Sequence, residues 1–474
     1  MEQQHFDMII IGAGPAGIFA ALQMTKKRPE SRILIVDTGR AISNRACPAR
    51  LNGQCLHCDP CAIVHGWAGA GAFSDGKLSL SDEVGGHVSD YIGHKRAMEY
   101  IAEADKEYLR FGASKTVHGL NNARVDEIAY EASRHNIRLV PCPVRHLGTE
   151  NAGPVLGAMH DYLVSQTHTV FMELTNAEDI LSEDGKVVGV KIQQRGKEPQ
   201  VVYAPYVVAA PGRGGAQWLS EAVGKLGLRT QNNEVDIGVR VEVPNSIMDH
   251  LTKDLYEAKL VYFSDTYENK VRTFCMNPGG EVSQEYYEGG IAVVNGHSYE
   301  DPAKHTGNTN FALLVSTKFT EPFNQPIEYG RYIAQLGNML TGGPIMVQRL
   351  GDLLKGRRTD ASRLSKSTTI PTLQTAVPGD LSFVLPARHL TSIVEALRAF
   401  DHLCPGLYSQ NTLLYGVEVK FYSCKVLVNS SFETAIKGLF TIGDGAGITR
   451  GLMQAGVTGM VVADEVAGRL NQKA

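Results

Sequence analysis

The sequence predicts an α/β fold, and three glycine-rich turns that each follow a short apolar strand support this prediction. The first turn, in DMIIIGAGPAG (7–17), opens a helical stretch, and a second apolar strand, RILIVD (32–37), follows that helix. The second turn ends the strand in YVVAAPGRGG (206–215), and the third, in GLFTIGDGAG (438–447), precedes the last helix. Strands that alternate with helices and end in such turns are typical of a parallel, Rossmann-like sheet.

Size, charge and hydropathy restrict the class of protein. The chain has 474 residues, of which 43% are hydrophobic, so it can form a large core and more than one domain. Its net charge of -4 argues against a nucleic-acid partner. No apolar run is long enough to span a membrane, and the N-terminus lacks the pattern of a signal peptide. We therefore expect a cytoplasmic protein whose cysteines stay reduced.

The first turn carries the fingerprint of a dinucleotide site. In Gly12-x-Gly14-x-x-Gly17, the first glycine allows the tight turn, the second lets the backbone approach a pyrophosphate, and the third lets the helix pack on the strand. The positive end of the helix then faces the phosphates. Asp37, at the end of the next strand, can accept a hydrogen bond from a ribose hydroxyl. The residues expected at this end of the dinucleotide are Gly12, Gly14, Pro15, Ala16, Gly17 and Asp37.

The C-terminal turn favours FAD over NAD. GLFTIGDGAGITRGLMQAG (438–456) resembles the second FAD motif of two-dinucleotide-type flavoproteins, in which an aspartate binds the ribityl chain and the next helix points at the flavin pyrimidine. The turn around Gly212 takes the place of a third element of such sites, with Pro211 where threonine is usual. No second GxGxxG follows a strand in 225–410, so we expect no separate nicotinamide domain. The expected FAD contacts here are Gly212, Gly443, Asp444, Gly451, Leu452 and Met453.

Several stretches of the chain resemble a known family. They are GAGAFSDGKL (69–78), IGVRVEV (237–243), RTFCMNPGGEV (272–282), GDLLKGR (351–357) and GLFTIGDGAGITRGLMQAGVTG (438–459). They are similar to the FAD-dependent dehydrogenases labelled "NAD(FAD)-utilising dehydrogenase", whose fold is related to that of geranylgeranyl-reductase-type flavoproteins. The resemblance implies FAD in a discontinuous Rossmann-like domain, with an inserted β-rich substrate domain. The chain departs from longer members at Asn277, where they have cysteine, and in a cysteine cluster ahead of FSDGKL.

Domain boundaries follow from this resemblance and from the strand and helix patterns. We expect the FAD domain to comprise 1–222 and 412–474, and the inserted substrate domain to comprise 223–411. Within the insert, Arg240 and Lys420 lie in strand-like runs and are interpreted as structural ion partners. A small-molecule substrate should bind over the flavin ring.

The glycine-rich loop GWAGAGAFSDGKL (66–78) should pass close to the flavin, because its small residues let backbone amides approach the ring. Two residues are candidates for a catalytic group. Lys77 follows this loop, and Cys275 precedes the turn Pro278-Gly279-Gly280. The expected cofactor contacts of the loop are Gly69, Gly71, Ser74 and Asp75.

A cysteine cluster precedes that loop, in the pattern C-x7-C-x2-C-x2-C. Its last three members have the spacing of cysteine runs that bind iron–sulfur clusters. Zinc sites favour separated pairs or Cys/His knuckles, and the histidines nearby are poorly spaced for one. Thiols buried beside a cofactor need no metal at all. An iron–sulfur cluster, a zinc ion and no metal therefore remain alternatives for Cys47, Cys55, Cys58 and Cys61.

Together these features predict an FAD-dependent oxidoreductase, most simply a dehydrogenase. It would move a hydride between a small organic substrate and flavin N5, by desaturation or by reduction of a C=C bond. The alternative is an electron-transfer flavoprotein in which the cysteine cluster holds iron and sulfur and couples FAD to a carrier protein. The substrate itself is not predicted by any of these motifs.

Overall fold

The structure is a computed structural model that describes residues 5–48, 56, 58–287, 290–320, 322–323, 325–420, 422–423 and 425–472. The chain divides into two compact units. The first unit consists of Met1–Lys115, Arg145–Asn233 and Tyr422–Ala474, and the second of Thr116–Val144 and Glu234–Phe421.

The strands and helices are numbered in chain order. The strands are β1 Met8–Ile11, β2 Ile33–Val36, β3 Lys77–Ser79, β4 Ile137–Val140, β5 Val144–His146, β6 Thr169–Met172, β7 Thr175–Glu183, β8 Lys186–Gln194, β9 Gln200–Tyr203, β10 Val207–Ala209, β11 Thr230–Gln231, β12 Val235–Pro244, β13 Lys259–Phe263, β14 Lys270–Asn277, β15 Glu281–Tyr287, β16 Ile291–His297, β17 Asn308–Thr317, β18 Met346–Arg349, β19 Val377–Pro378, β20 Leu413–Lys420, β21 Lys425–Val426 and β22 Leu439–Thr441. The α-helices are α1 Pro15–Lys27, α2 Ser89–Ile92, α3 His94–Arg110, α4 Asn122–Ser133, α5 Ala152–Gln166, α6 Ala216–Lys225, α7 Asn245–Leu255, α8 Pro326–Thr341, α9 Leu350–Leu353, α10 Ala361–Leu364, α11 Ala387–Asp401 and α12 Leu452–Asn471.

A parallel sheet forms the centre of the first unit, in the order β22-β10-β1-β2-β6. All four residues of β1 and of β2 are buried, as expected for central strands covered on both faces. Helices α1 and α12 pack closely through small residues, since a Cβ added to Gly459 would lie 2.1 Å from the carbonyl oxygen of Ala16. The Rossmann-like part of the predicted fold class is therefore confirmed.

An antiparallel meander belongs to the same unit. Strands β7, β8 and β9 form an antiparallel sheet, and helix α5 precedes it along the chain. The hairpin between β7 and β8 turns at Asp184 and Gly185, which have φ values of 48° and 72°. Two consecutive positive φ values are the geometry that an Asp-Gly pair favours in a tight hairpin. The Asp-Gly pair in SEDGK (182–186) therefore forms the turn of this hairpin.

The second unit contains a large sheet in the order β19-β18-β20-β12-β17-β14-β13-β4, antiparallel except between β18 and β19. Residues alternate along β12, so that Ile237, Val239 and Val241 enter an apolar core while Arg240 and Glu242 point to the other face. Helix α11 covers the apolar face with Ile393, Leu397 and Phe400, which are buried and spaced along one side of the helix. This β-rich unit, inserted between parts of the first, completes the predicted fold class.

The compact units differ from the expected boundaries in two respects. Residues 116–144, which the sequence places in the first domain, belong to the second unit, because β4 pairs with β13 at the edge of its sheet. The longer segment of this unit spans Glu234–Phe421, compared with the expected 223–411. No helix in the described part of the chain has both the length and the apolar character needed to cross a bilayer.

Candidate cofactor site

The first glycine turn is built by backbone contacts that leave no room for side chains. The N–H of Gly12 donates to the carbonyl of Val36 at 2.8 Å, and φ at Gly12 is 106°, a value that favours glycine. A Cβ on Gly12 would lie 2.1 Å from the carbonyl oxygen of Ala210, and one on Gly17 would lie 2.2 Å from the carbonyl oxygen of Gly12. Both glycines are therefore required by the fold itself.

Gly14 differs from these two glycines. It caps the N-terminus of α1 with a φ of −75°, which any residue adopts. A Cβ added there would meet no atom of the described residues within 4 Å. The space in front of the first turn of α1 is thus open, and the peptide N–H groups of that turn carry the positive end of the helix. An anion such as a pyrophosphate fits this position.

Asp37 is bound more extensively than the sequence suggests. Its carboxylate accepts hydrogen bonds from the backbone N–H groups of Ala13 (2.9 Å), Gly39 (2.8 Å) and Gly66 (2.7 Å). The residue therefore joins the turn after β1 to the segment after β2 and to the start of the glycine-rich loop. A carboxylate offers about four acceptor positions, so one remains for a ribose hydroxyl.

The glycine-rich loop lies against the first turn. The N–H of Ala68 donates to the carbonyl of Ala13 at 2.7 Å, and a Cβ on Gly69 would lie 3.4 Å from the Cα of Gly14. A Cβ on Gly71 would meet the side chains of Leu452, at 2.9 Å, and Pro15, at 3.5 Å. Small residues therefore let this loop run between the N-terminal ends of α1 and α12.

The polar residues that end this loop bind within it. The hydroxyl of Ser74 donates to the carbonyl of Gly71 at 2.9 Å and stabilises the turn. The carboxylate of Asp75 pairs with the ammonium of Lys77 at 3.0 Å, and the Lys77 side chain is nearly buried. A role for Lys77 in proton transfer remains a prediction. For that role, Lys77 would have to leave its ion pair with Asp75 or pass the proton through the Asp75 carboxylate.

Arg45, which the sequence reasoning missed, holds the loop in place. It is buried, and its guanidinium donates to the carbonyls of Ala62 (2.9 Å), Ile63 (2.8 Å) and Gly69 (2.9 Å), and also to that of Trp67. Burial lowers the pKa of Arg45 to about 10, although the charge of Asp37 acts in the opposite direction. The sequence gives no sign of this role, because the acceptors of Arg45 are backbone carbonyls, which every residue has.

The two remaining turns come together on the other side of α1. A Cβ on Gly443 would lie 3.1 Å from the Cβ of Ala16, and one on Gly445 would lie 2.5 Å from the carbonyl oxygen of Gly212. Asp444 accepts a hydrogen bond from the hydroxyl of Thr449 at 2.7 Å. Its other carboxylate oxygen lies 3.5 Å from the guanidinium of Arg213.

Helix α12 begins directly after Gly451, and no side chain caps its N-terminus. Gln454, a second residue that the sequence reasoning missed, is buried in its first turn. The Gln454 amide donates to the carbonyls of Asp82 (2.8 Å) and Val84 (2.9 Å) and accepts from the N–H of Val88 (3.2 Å). It fixes the loop that runs past the start of α12, while Met453 is buried beside it.

The predicted cofactor residues thus come from five segments of the first unit: the turn after β1, the end of β2, the glycine-rich loop, the turn after β10, and the turn before α12 with the start of that helix. Cys275 belongs to the second unit, where its backbone carbonyl accepts a hydrogen bond from Arg240. Its φ of 46° is unusual for a residue with a side chain. A catalytic role for Cys275 stays a prediction.

The cysteine cluster falls partly outside the described residues, because Cys55 is not among them. Among the residues that the structure describes, no three His, Cys, Asp or Glu side chains come together as metal ligands. Cys47, Cys58 and Cys61 therefore do not form a ligand set in the described part of the chain, and the geometry supports neither an iron–sulfur cluster nor zinc.

Comparison with known proteins relates the second unit to a described family. Residues 234–421 match the family "FAD-dependent protein, C-terminal domain-like". The matched segment coincides with the longer segment of the second unit, Glu234–Phe421. A curated protein of Clostridium beijerinckii, described as uncharacterized, is 26% identical over 484 residues, which cover 97% of this chain and 80% of that protein.

Three solved structures with a related course of the chain are remote in sequence. Formate oxidase of Aspergillus oryzae has 11% identity and a TM-score of 0.48, with 100% of both chains covered. Quinol fumarate reductase FrdA of E. coli has 14% identity and a TM-score of 0.43, with 100% of this chain and 72% of that chain covered. Glycine oxidase of Geobacillus kaustophilus has 13% identity and a TM-score of 0.41, with 98% and 95% covered. Likeness at this level says nothing about the reaction of this chain.

Proposed function

We propose that this protein binds FAD without a covalent bond in the first unit and is a flavin oxidoreductase. The observation that carries the proposal is the open space at Gly14, which a Cβ would enter without touching any described atom. Glycine is not needed there for the backbone, so the space is best explained by a ligand that approaches the N-terminus of α1. The family match of residues 234–421 supports FAD as that ligand.

In this proposal the predicted contacts bind different parts of FAD. The N-terminal turn of α1 would hold the pyrophosphate, Asp37 the adenosine ribose and Asp444 the ribityl chain. The uncapped N-terminus of α12 would face the pyrimidine end of the flavin, where a helix dipole stabilises negative charge. Bound FAD supplies the acceptor or donor for a hydride, and the chain supplies binding, orientation and the exclusion of water. The substrate is then a small organic molecule that is desaturated or reduced at a C=C bond.

The alternative of an electron-transfer flavoprotein with an iron–sulfur cluster rests on the spacing of the cysteines alone. Cys47, Cys58 and Cys61 form no ligand set among the described residues. A carrier protein remains a reasonable partner for reoxidising the flavin, but no described feature identifies one. We therefore favour hydride transfer with a small molecule.

The first test is the cofactor content of the purified protein. We expect a yellow protein with one FAD per chain that is released on denaturation, because no covalent bond is involved. The measurement is the absorbance spectrum, followed by chromatography of the released flavin. A colourless protein that binds NAD instead would contradict the proposal.

Replacing Asp444 by alanine should weaken FAD binding without unfolding the protein. The change removes an acceptor for the ribityl chain, worth about 1–3 kcal/mol, and also removes the acceptor of the Thr449 hydroxyl. The measurement is the dissociation constant of FAD in the reconstituted apoprotein, with Asp444→Asn as the isosteric control. If the alanine variant bound FAD as tightly as the natural protein, Asp444 would not belong to the cofactor site.

A further inference from the structure

Arg450 lies in the first unit, between the turn that contains Asp444 and the start of α12. Its backbone is held firmly, because its N–H donates to the carbonyl of Gly85 at 2.8 Å. The N–H of His87 donates to the carbonyl of Ile448 at 3.1 Å, so that 448–450 pairs with 85–87 as a short antiparallel bridge. The position of this residue beside the helix terminus is therefore determined by the fold.

The side chain of Arg450 is also ordered by a contact. Its guanidinium carbon lies 3.6 Å from the centroid of the Tyr422 ring, and the tyrosine is buried. Stacking of this kind holds the planar guanidinium by its face. The N–H donors lie in the plane of the fork, so the stack leaves them able to bind a ligand at the edge.

Arg450 is half-buried, and its guanidinium forms no ion pair with a carboxylate among the described residues. The nearest acid along the chain, Asp444, is bound by Thr449 at 2.7 Å and paired with Arg213 at 3.5 Å. Other buried arginines of this unit have fixed partners, as Arg145 has in Asp105, with two bonds of 2.7 Å. Positive charge that is partly removed from water and has no acidic partner is suited to bind an anion.

We propose that Arg450 binds a carboxylate group of the substrate, which makes the substrate a small organic acid. The proposal rests on the function proposed above, because α12 starts two residues later and its N-terminus is assigned to the flavin. A carboxylate matches the guanidinium fork with two parallel hydrogen bonds, and its single charge balances that of one arginine. The phosphates of FAD have their own cradle at Gly14, so they do not require Arg450.

The test is a titration of the FAD-containing protein with acetate, succinate and benzoate, using acetamide, succinamide and benzamide as uncharged controls. We expect at least one carboxylate to change the flavin absorbance in a saturable way, and its amide to change it much less. Arg450→Met should raise the dissociation constant of that carboxylate by at least about tenfold, and the variant should keep its FAD. Arg28→Met, which removes another half-buried arginine, one that is paired with Glu30, should bind it normally.

Four results would overturn the inference. They are the absence of any carboxylate effect, equal binding of the acid and its amide, unchanged binding in Arg450→Met, and loss of FAD from that variant, which would assign Arg450 to the cofactor. Tyr422→Phe should retain binding because it keeps the ring, whereas Tyr422→Leu should weaken it. A natural protein without flavin would instead refute the proposed function, and the carboxylate assignment with it.

Discussion

Replacing Gly14 by valine should abolish FAD binding and leave the protein folded. The valine side chain would occupy the space in front of α1 that is open to a ligand, and it would separate the pyrophosphate from the N–H groups of the helix. The backbone at Gly14 has a φ of −75°, so valine causes no strain there. The measurement is the flavin content of the purified variant together with its circular dichroism and its thermal unfolding temperature.

Gly17→Val is the matched control for this prediction. Gly17 lies three residues later in the same motif, within α1. A Cβ there would be 2.2 Å from the carbonyl oxygen of Gly12. We therefore expect this variant to misfold rather than to form a folded apoprotein. The two glycines of one motif would thus fail in different ways. If Gly14→Val retained stoichiometric FAD, the first turn would not be the phosphate site.

Replacing Glu418 by glutamine should lower the free energy of unfolding of the second unit by about 3–5 kcal/mol. Glu418 is fully buried and accepts two bonds of 2.9 Å from Arg240 and one of 2.9 Å from Lys420. Without its negative charge, two cations would remain close together in the protein interior. The measurement is equilibrium unfolding in urea, monitored through a spectroscopic signal that comes from the second unit.

The control for this variant is Lys420→Met. It removes one cation but leaves Glu418 with both bonds from Arg240, so it should destabilise the unit less than Glu418→Gln does. A larger loss in Lys420→Met would show that Lys420, and not Glu418, compensates most of the buried charge.

The same cluster predicts a dependence of stability on pH. Burial alone raises the pKa of Glu418, but the charges of Arg240 and Lys420 outweigh it, and the pKa lies below its ordinary value. A carboxyl group with a lowered pKa stabilises the fold above the pKa of the unfolded chain, and this contribution is lost as the pH falls through the folded pKa. Glu418→Gln should therefore be less sensitive to acid than the natural protein.

Local patterns predicted much of the first unit. The strand, turn and helix at 7–27 occur where the glycine and apolar spacing predicts them, and the predicted strand in RILIVD (32–37) is β2. These features depend on neighbours a few residues apart, so the order of residues contains the necessary information. The interpretation of Arg240 and Lys420 as structural ion partners is also confirmed, since both pair with Glu418.

Long-range contacts were beyond such patterns. Residues 116–144 read as part of the first domain, but β4 joins a strand more than a hundred residues away along the chain. Arg45 and Gln454 bind backbone carbonyls of other loops, and backbone carbonyls are the same in every sequence. The cysteine spacing suggested a metal site, but the described thiols form no ligand set, because spacing along the chain does not fix distances between side chains.

The amino-acid sequence by itself determined where the chain turns, because turns depend on local geometry. It also determined that the glycine turns carry a dinucleotide motif. Only the tertiary structure decided that Gly14 faces open space while Gly12 and Gly17 are enclosed, and that Arg450 is stacked on Tyr422 without an acidic partner among the described residues. Burial, open space and ion pairing are properties of atoms brought together from distant parts of the chain, and folding alone brings them together.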